Sequence, residues 1–183
     1  GALGIAQKIG DKRSEGIHLG NLGNVYQSMG QNEEALKSHE EALRIARKIG
    51  YKSAEGDHLG NIGIIYRGLG QNEEALKSYE EALGIAQEIG DKGGEGRHLG
   101  NLGNVYLELG QYEEALKYIQ QALRIAREVG NKIVEGINLG NLGDIFLSLN
   151  RLEESKTHLL QAIDICDEST PFAGGSFRGS LAL

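Results

Sequence analysis

Cysteine is almost missing from this chain of 183 residues. Cys166 stands alone, so there is neither a disulfide framework nor a cysteine-based zinc site to consider. No apolar run approaches the roughly 20 residues that span a bilayer, and no basic-then-apolar leader opens the chain. The expectation is a soluble protein, with the cytoplasm as the default compartment and no membrane partner. A dense basic face is missing as well: the net charge is −7, with both signs interspersed along the sequence, which argues against a nucleic-acid ligand. Catalytic signatures are equally scarce. There is no GK[ST] loop and no G-x-S-x-G elbow, and no alternating pattern suggests a strand.

What is present is a repeat. Leu19 to Ala46 reads LGNLGNVYQSMGQNEEALKSHEEALRIA and returns with small edits at Leu59, Leu99 and Leu139, every 40 residues. Such self-similarity predicts stacked units that share one continuous core rather than separate globular domains. Four units result, at 13–52, 53–92, 93–132 and a capping-like 133–170, followed by a non-repeat tail at 171–183. Residues 1–12 match the end of a unit, as 81–92 do. They are expected to be the back half of a preceding repeat, and the chain a fragment of a longer array.

Within the first unit Leu19, Leu22, Gly23, Tyr26 and Met29 fall on one helical face, predicting a helix A. Gly30 breaks it. Asn32 is the expected N-cap of helix B, with Glu33 and Glu34 where the helix dipole favours negative charge. Helix B is expected to bury Ala35, His39, Ala42, Leu43, Ala46 and Ile49, and to end at Gly50 after Lys48. Glu33 with Lys37 and Glu40 with Arg44 have the spacing of surface pairs. Glycines recur at 16, 20, 23, 30 and 50, although glycine inside a helix costs about 1 kcal/mol relative to alanine. Gly23 is expected to let helix B approach closely, and Gly20 to leave the inner wall roomy. In the fourth unit Asn150 replaces the glycine and Ser155 an alanine, as suits a terminal unit.

The run Leu22-Gly23-x-x-Tyr26, followed by Gly30, Ala35 and Ala42, resembles the tetratricopeptide repeat, over residues 13–169. Two features depart from that pattern. The period is 40 rather than about 34, and the proline that usually closes helix B is replaced by Arg47, Gln87, Arg127 and Asp167, so helix B is expected to run about a turn and a half longer. This long form, with its EGxxLGNLGN openings, resembles arrays in multidomain bacterial signalling ATPases and in Pins-type spindle adaptors, and the first more closely. The resemblance implies an all-α, tetratricopeptide-like right-handed superhelix of antiparallel helix pairs, a non-enzymatic scaffold that needs no cofactor. Its A helices would line a concave groove for a protein or peptide.

Comparison between the units supports a groove. Packing positions barely change, whereas the 17/57/97/137 column reads Ile, Asp, Arg, Ile and the 27/67/107/147 column Gln, Arg, Leu, Leu. Asn21, Asn61, Asn101 and Asn141 form another column, with Asn24, Asn104 and Asp144 three residues on. A carboxamide both donates and accepts, so it suits a peptide backbone whatever the side chains are. The other reading of these asparagines is hydrogen bonding to neighbouring helices or water. The groove set is therefore Asn24, Gln27, Asp57, Arg67, Arg97, Asn104, Leu107, Glu108 and Asp144, with Asn21, Asn61, Asn101 and Asn141 as backbone clamps.

His18, His58 and His98 invite a metal reading, but helices about 8–10 Å apart cannot bring three such side chains to one ion. A rim contact or a stack against neighbouring A helices is expected instead, and no metal. His39 shares a core column with Tyr79, Ile119 and Leu159, and packing is its expected role. Cys166 aligns with Ala46, Ala86 and Ala126 as an inert core thiol. In the tail, Pro171 stops the last helix, and Phe172, Phe177, Leu181 and Leu183 suit docking onto the last helix pair or into a groove, a disordered tail being the other reading. The alternative role is structural, with the tail and the apolar Leu3, Ile5 and Ile9 joining chains end to end.

Overall fold

The computed structural model describes residues 1–169, with side chains to residue 165. Among these residues there are nine α-helices and no strand. The helices are α1 (Ala2–Ile9), α2 (Lys12–Ser28), α3 (Asn32–Ile49), α4 (Lys52–Gly68), α5 (Asn72–Ile89), α6 (Lys92–Glu108), α7 (Tyr112–Glu128), α8 (Lys132–Ser148) and α9 (Leu152–Ser169). One compact unit comprises Gly1–Gly94, and a second begins at Glu95. In the first, α1 to α5 pack successively, each on the next. In the second, α7 packs on α8 and α8 on α9, while α6 meets α7 through Gly103 against Ile119 and through stacked Tyr106 and Tyr118 rings, 5.3 Å between centroids.

Local chemistry sets the helix boundaries. Asp11 and Asn131 cap α2 and α8 by accepting from the backbone N–H groups of Ser14 and Val134, at 3.0 and 3.1 Å. Asp91 accepts from the N–H of Gly94 at 2.9 Å. The B helices start differently from expectation. Asn32 is already the first helical residue of α3, Gln31 precedes it, and no side chain caps that end. Each B helix instead begins with two acids in its first turn, which the helix dipole favours. Left-handed turns close the helices at Gly30, Gly50, Gly70, Gly90, Gly110 and Gly130, with φ between 69° and 73°. Asn150 takes the same conformation at φ 58°, and asparagine tolerates it better than other residues with a Cβ.

The mid-helix glycines are offset by close packing. A Cβ on Gly23 would stand 2.6 Å from His39 Nε2, one on Gly63 2.6 Å from Tyr79, one on Gly103 2.5 Å from Ile119 and one on Gly143 2.5 Å from Leu159. Each A helix thus offers a socket that one buried B-helix side chain fills, and filling it with an aliphatic or aromatic side chain contributes about 1.5–3 kcal/mol. Gly16, Gly56 and Gly96 similarly admit Ile45, Ile85 and Ile125. Gly20 is not the open wall position expected of it, because the His58 ring of α4 occupies that space, with Cε1 2.6 Å from where a Cβ would be. Ile49 and Met29 also differ from expectation: they end the apolar stripes of their helices and stay exposed. Arg44 pairs with Glu41 at 2.5 Å rather than with Glu40.

Consecutive hairpins are joined by a polar latch at the position where the usual proline is missing. Arg47 donates to the buried carboxylate of Glu55 at 3.0 Å and also pairs with Glu81, and Arg127 donates to Glu135 at 2.8 Å. Lys12, Lys52 and Lys132 reach Glu15, Glu55 and Glu135 from one turn before. A buried carboxylate needs such partners. Arginine at the end of helix B therefore does what a proline there cannot: it ties the helix to the next A helix.

Candidate functional site

The predicted wall residues sit on the A helices, away from the sockets. In the Gly1–Gly94 unit α2 carries Asn21 and Asn24, both exposed, and Gln27, half-buried, while α4 carries exposed Asp57 and half-buried Asn61 and Arg67. Gly20 against His58 fixes the approach of these two helices. In the second unit α6 carries exposed Arg97 and Glu108 with half-buried Asn101, Asn104 and Leu107, and α8 carries half-buried Asn141 and Asp144. Gly100 lies 3.7 Å, measured from its would-be Cβ, from the Asn138 carboxamide of α8.

One pair of predicted residues is brought into direct contact. Asn141 Nδ2 donates to Asn104 Oδ1 at 2.9 Å, across α6 and α8. This bond uses one donor of Asn141 and one acceptor of Asn104. It leaves on this pair an acceptor on Asn141 and the amide donors of Asn104, the complement of a peptide group. In this pair the asparagines hold neighbouring helices together, and each keeps hydrogen-bonding capacity. Leu107 packs partly against the core of Leu139, Leu142 and Ile145, so it belongs as much to the interior as to the wall. Asp57, Arg67, Arg97, Glu108 and Asp144 each already have an interaction partner, so a ligand would exchange contacts rather than meet bare charges. Between the polar columns, Ile17, Ile64 and Ile137 remain exposed on the same helices.

The histidine column does not gather into a metal-ligand group. No cluster of three or more His, Cys, Asp or Glu side chains suited to a metal occurs among the described residues. His58 and His98 are buried and His18 is half-buried. Sequence reasoning missed the pairing of His58 with His39, whose ring centroids lie 5.8 Å apart. It also missed the buried glutamate column at 15, 55 and 135. A signal for the latter was present, because a lysine stands three residues before each of these glutamates. The side chain of Cys166 and the tail from Pro171 lie outside the described residues. No helix among the described residues is long and apolar enough to cross a membrane.

Comparison with known proteins places this geometry. The profile of the tetratricopeptide repeat matches residues 14–88 and 94–168. Among solved structures, aspartyl phosphate phosphatase F from Bacillus subtilis superposes with a TM-score of 0.87 at 16% identity, over 91% of this chain and 44% of that one. BtubC from P. vanneervenii gives 0.79 at 18% identity, over 93% and 79%. A signal transduction ATPase with numerous domains and a tetratricopeptide repeat sensor, from Pyrococcus horikoshii, gives 0.77 at 26% identity, over 85% of this chain and 24% of that one. No curated protein matches the sequence. The chain spans less than half of the phosphatase-named structure and about a quarter of the ATPase. These likenesses show an all-α repeat fold of antiparallel helix pairs.

Proposed function

Since this chain belongs to the tetratricopeptide-repeat family, a family of protein-interaction modules, we propose that its A helices line a groove for a segment of another protein. The observation that carries this reading is the Asn104–Asn141 pair, which offers a donor and an acceptor side by side on α6 and α8. Within the second unit Asn104 and Asn141 would hold the backbone of an extended segment, Ile137 would cover its apolar side chains, and Arg97, Glu108 and Asp144 would select its charges; within the Gly1–Gly94 unit, α2 and α4 would offer Ile17, Ile64, Asp57 and Arg67 in the same roles. The likeness to a signalling ATPase with a repeat sensor fits a role as the sensing segment of a longer signalling protein.

Capture of partners by wild type and by Asn24→Ala/Asn104→Ala tests the groove. Each hydrogen bond lost is worth about 1 kcal/mol, so retention of groove-bound partners should fall several-fold; equal recovery of every partner would remove the groove from consideration.

A second reading has its own observation. Val25 of α2 is 52% exposed, while the residues of the same column, Ile65 and Ile145, are 2% and 0% exposed. Ile5 and Ile9 of α1 and Met29 next to α2 are exposed as well. A second copy of the chain covering these residues would make the protein a structural, self-joining module. Mass measured against concentration separates this reading from groove binding.

A further inference from the structure

We propose that the Gly1–Gly94 unit contains an acid-sensitive latch, in which protonation of the His39–His58 pair loosens the packing of α2, α3 and α4. Four A helices present the same glycine niche, at Gly23, Gly63, Gly103 and Gly143, and four B helices fill them with His39, Tyr79, Ile119 and Leu159. Three of these plugs keep their charge state throughout the neutral and mildly acidic range. His39 does not.

The surroundings of His39 leave no room for a cation. The residue is 0% exposed, and neither ring nitrogen has a hydrogen-bond partner. A neutral imidazole there buries one unsatisfied N–H; an imidazolium would bury two, together with a charge. On the α2 side the ring meets the bare Gly23 backbone. On the α4 side it meets the His58 ring, whose Nδ1 is also buried without a partner and whose opposite flank fills the space over Gly20. Movement of either ring is therefore transmitted to the contact between α2 and α4.

The charged groups on the three helices do not offset this. On α2, the carboxylate of Glu15 is taken by Lys12 and Gln7, and half-buried His18 is a further titratable group of that helix. On α4, Glu55 is held by Arg47 and Lys52. Asp57 favours a charged His58, but burial outweighs it and His58 stays below its ordinary value. On α3 itself Glu41 is engaged by Arg44, and Lys37 and Glu40 point to solvent-exposed positions. Burial first, and then repulsion by His58, push His39 down to about 4.

A base whose folded-state value is depressed stabilises the fold fully above its unfolded value near 6.5, and that stability is lost as pH falls from there toward the folded value. His39 alone should raise the opening equilibrium about 30-fold between pH 7.5 and pH 5. Stacked hairpins open locally, so the effect should concentrate in α2 to α4.

Amide hydrogen exchange of the whole chain at pH 7.5 and pH 5, corrected for the intrinsic pH dependence of exchange, tests this. The comparison is wild type against His39→Tyr/His58→Asn, which installs the residues that the same two columns carry at Tyr79 and Asn138. Wild type should lose about 30-fold or more of the protection in α2–α4 at pH 5, and the variant less than about threefold of that excess. His39→Leu, the residue found at Leu159, replaces His39→Tyr if the tyrosine disturbs folding at pH 7.5. Equal losses in wild type and variant, or no added loss in wild type at pH 5, would overturn the proposal.

Discussion

Gly103 and Gly84 both lie inside helices, yet the same substitution should affect them in opposite directions. A Cβ on Gly103 would meet Ile119 Cδ1 at 2.5 Å and the Ile119 backbone N at 3.3 Å, whereas one on Gly84 meets nothing within 4 Å. Overpacking costs about 1–3 kcal/mol, against about 1 kcal/mol gained from helix propensity. Gly103→Ala should therefore lower the urea midpoint, with a net loss of up to about 2 kcal/mol. Gly84→Ala should gain about 0.5–1 kcal/mol. The role of Gly23 is legible in the sequence because its plug comes from the same hairpin, at His39. The role of Gly20 is not. Its space is filled by His58, 38 residues further on and in the next hairpin, and no local pattern announces which distant side chain will turn that way.

At the level of the helix, the distinctive part is the junction between hairpins. Burial raises the proton affinity of the Glu135 carboxyl, but hydrogen bonds from Lys132 and Arg127 outweigh it and hold the group below the ordinary glutamate range. A carboxyl with a depressed folded value contributes stability above its unfolded value near 4.5, and loses that contribution as pH falls through the folded value. Glu135→Gln should accordingly cost about 1 kcal/mol at pH 7, since Arg127 and Lys132 remain partly solvated. Wild type and variant should converge in denaturation titrations as pH falls through this depressed value, below the ordinary glutamate range. The sequence shows the missing proline, and the helices α3, α5 and α7 run for 17 to 18 residues. It does not show what Arg47 and Arg127 do, because their partners are buried glutamates of the following helix. The cap expected at Asn32 fails for a simpler reason: the turn after Gly30 is one residue shorter than the cap assignment requires, so the helix has begun by Asn32.

Among the described residues the 40-residue period accounts for the order of the helices, because a hairpin buries its apolar stripe only against another like it. The period does not tell which copies of a column are covered. Val25, Ile65 and Ile145 look equivalent in sequence and differ by half their surface in exposure. Val25→Glu should leave the unfolding midpoint within about 0.5 kcal/mol of wild type while abolishing any concentration-dependent gain in mass. Ile65→Glu should destabilise by more than about 3 kcal/mol, because it buries an unpaired charge. If Val25→Glu unfolds the protein as Ile65→Glu does, the α2 edge is core and not a docking face.

The four glycine sockets make the chain its own reference series. Histidine, tyrosine, isoleucine and leucine occupy geometrically matched positions, so exchanging them among residues 39, 79, 119 and 159 would vary the cohesion of one hairpin at a time while the backbone around it stays the same. Where along the array melting begins would then be set by which plug sits in which hairpin, and could be moved from one end to the other by single exchanges.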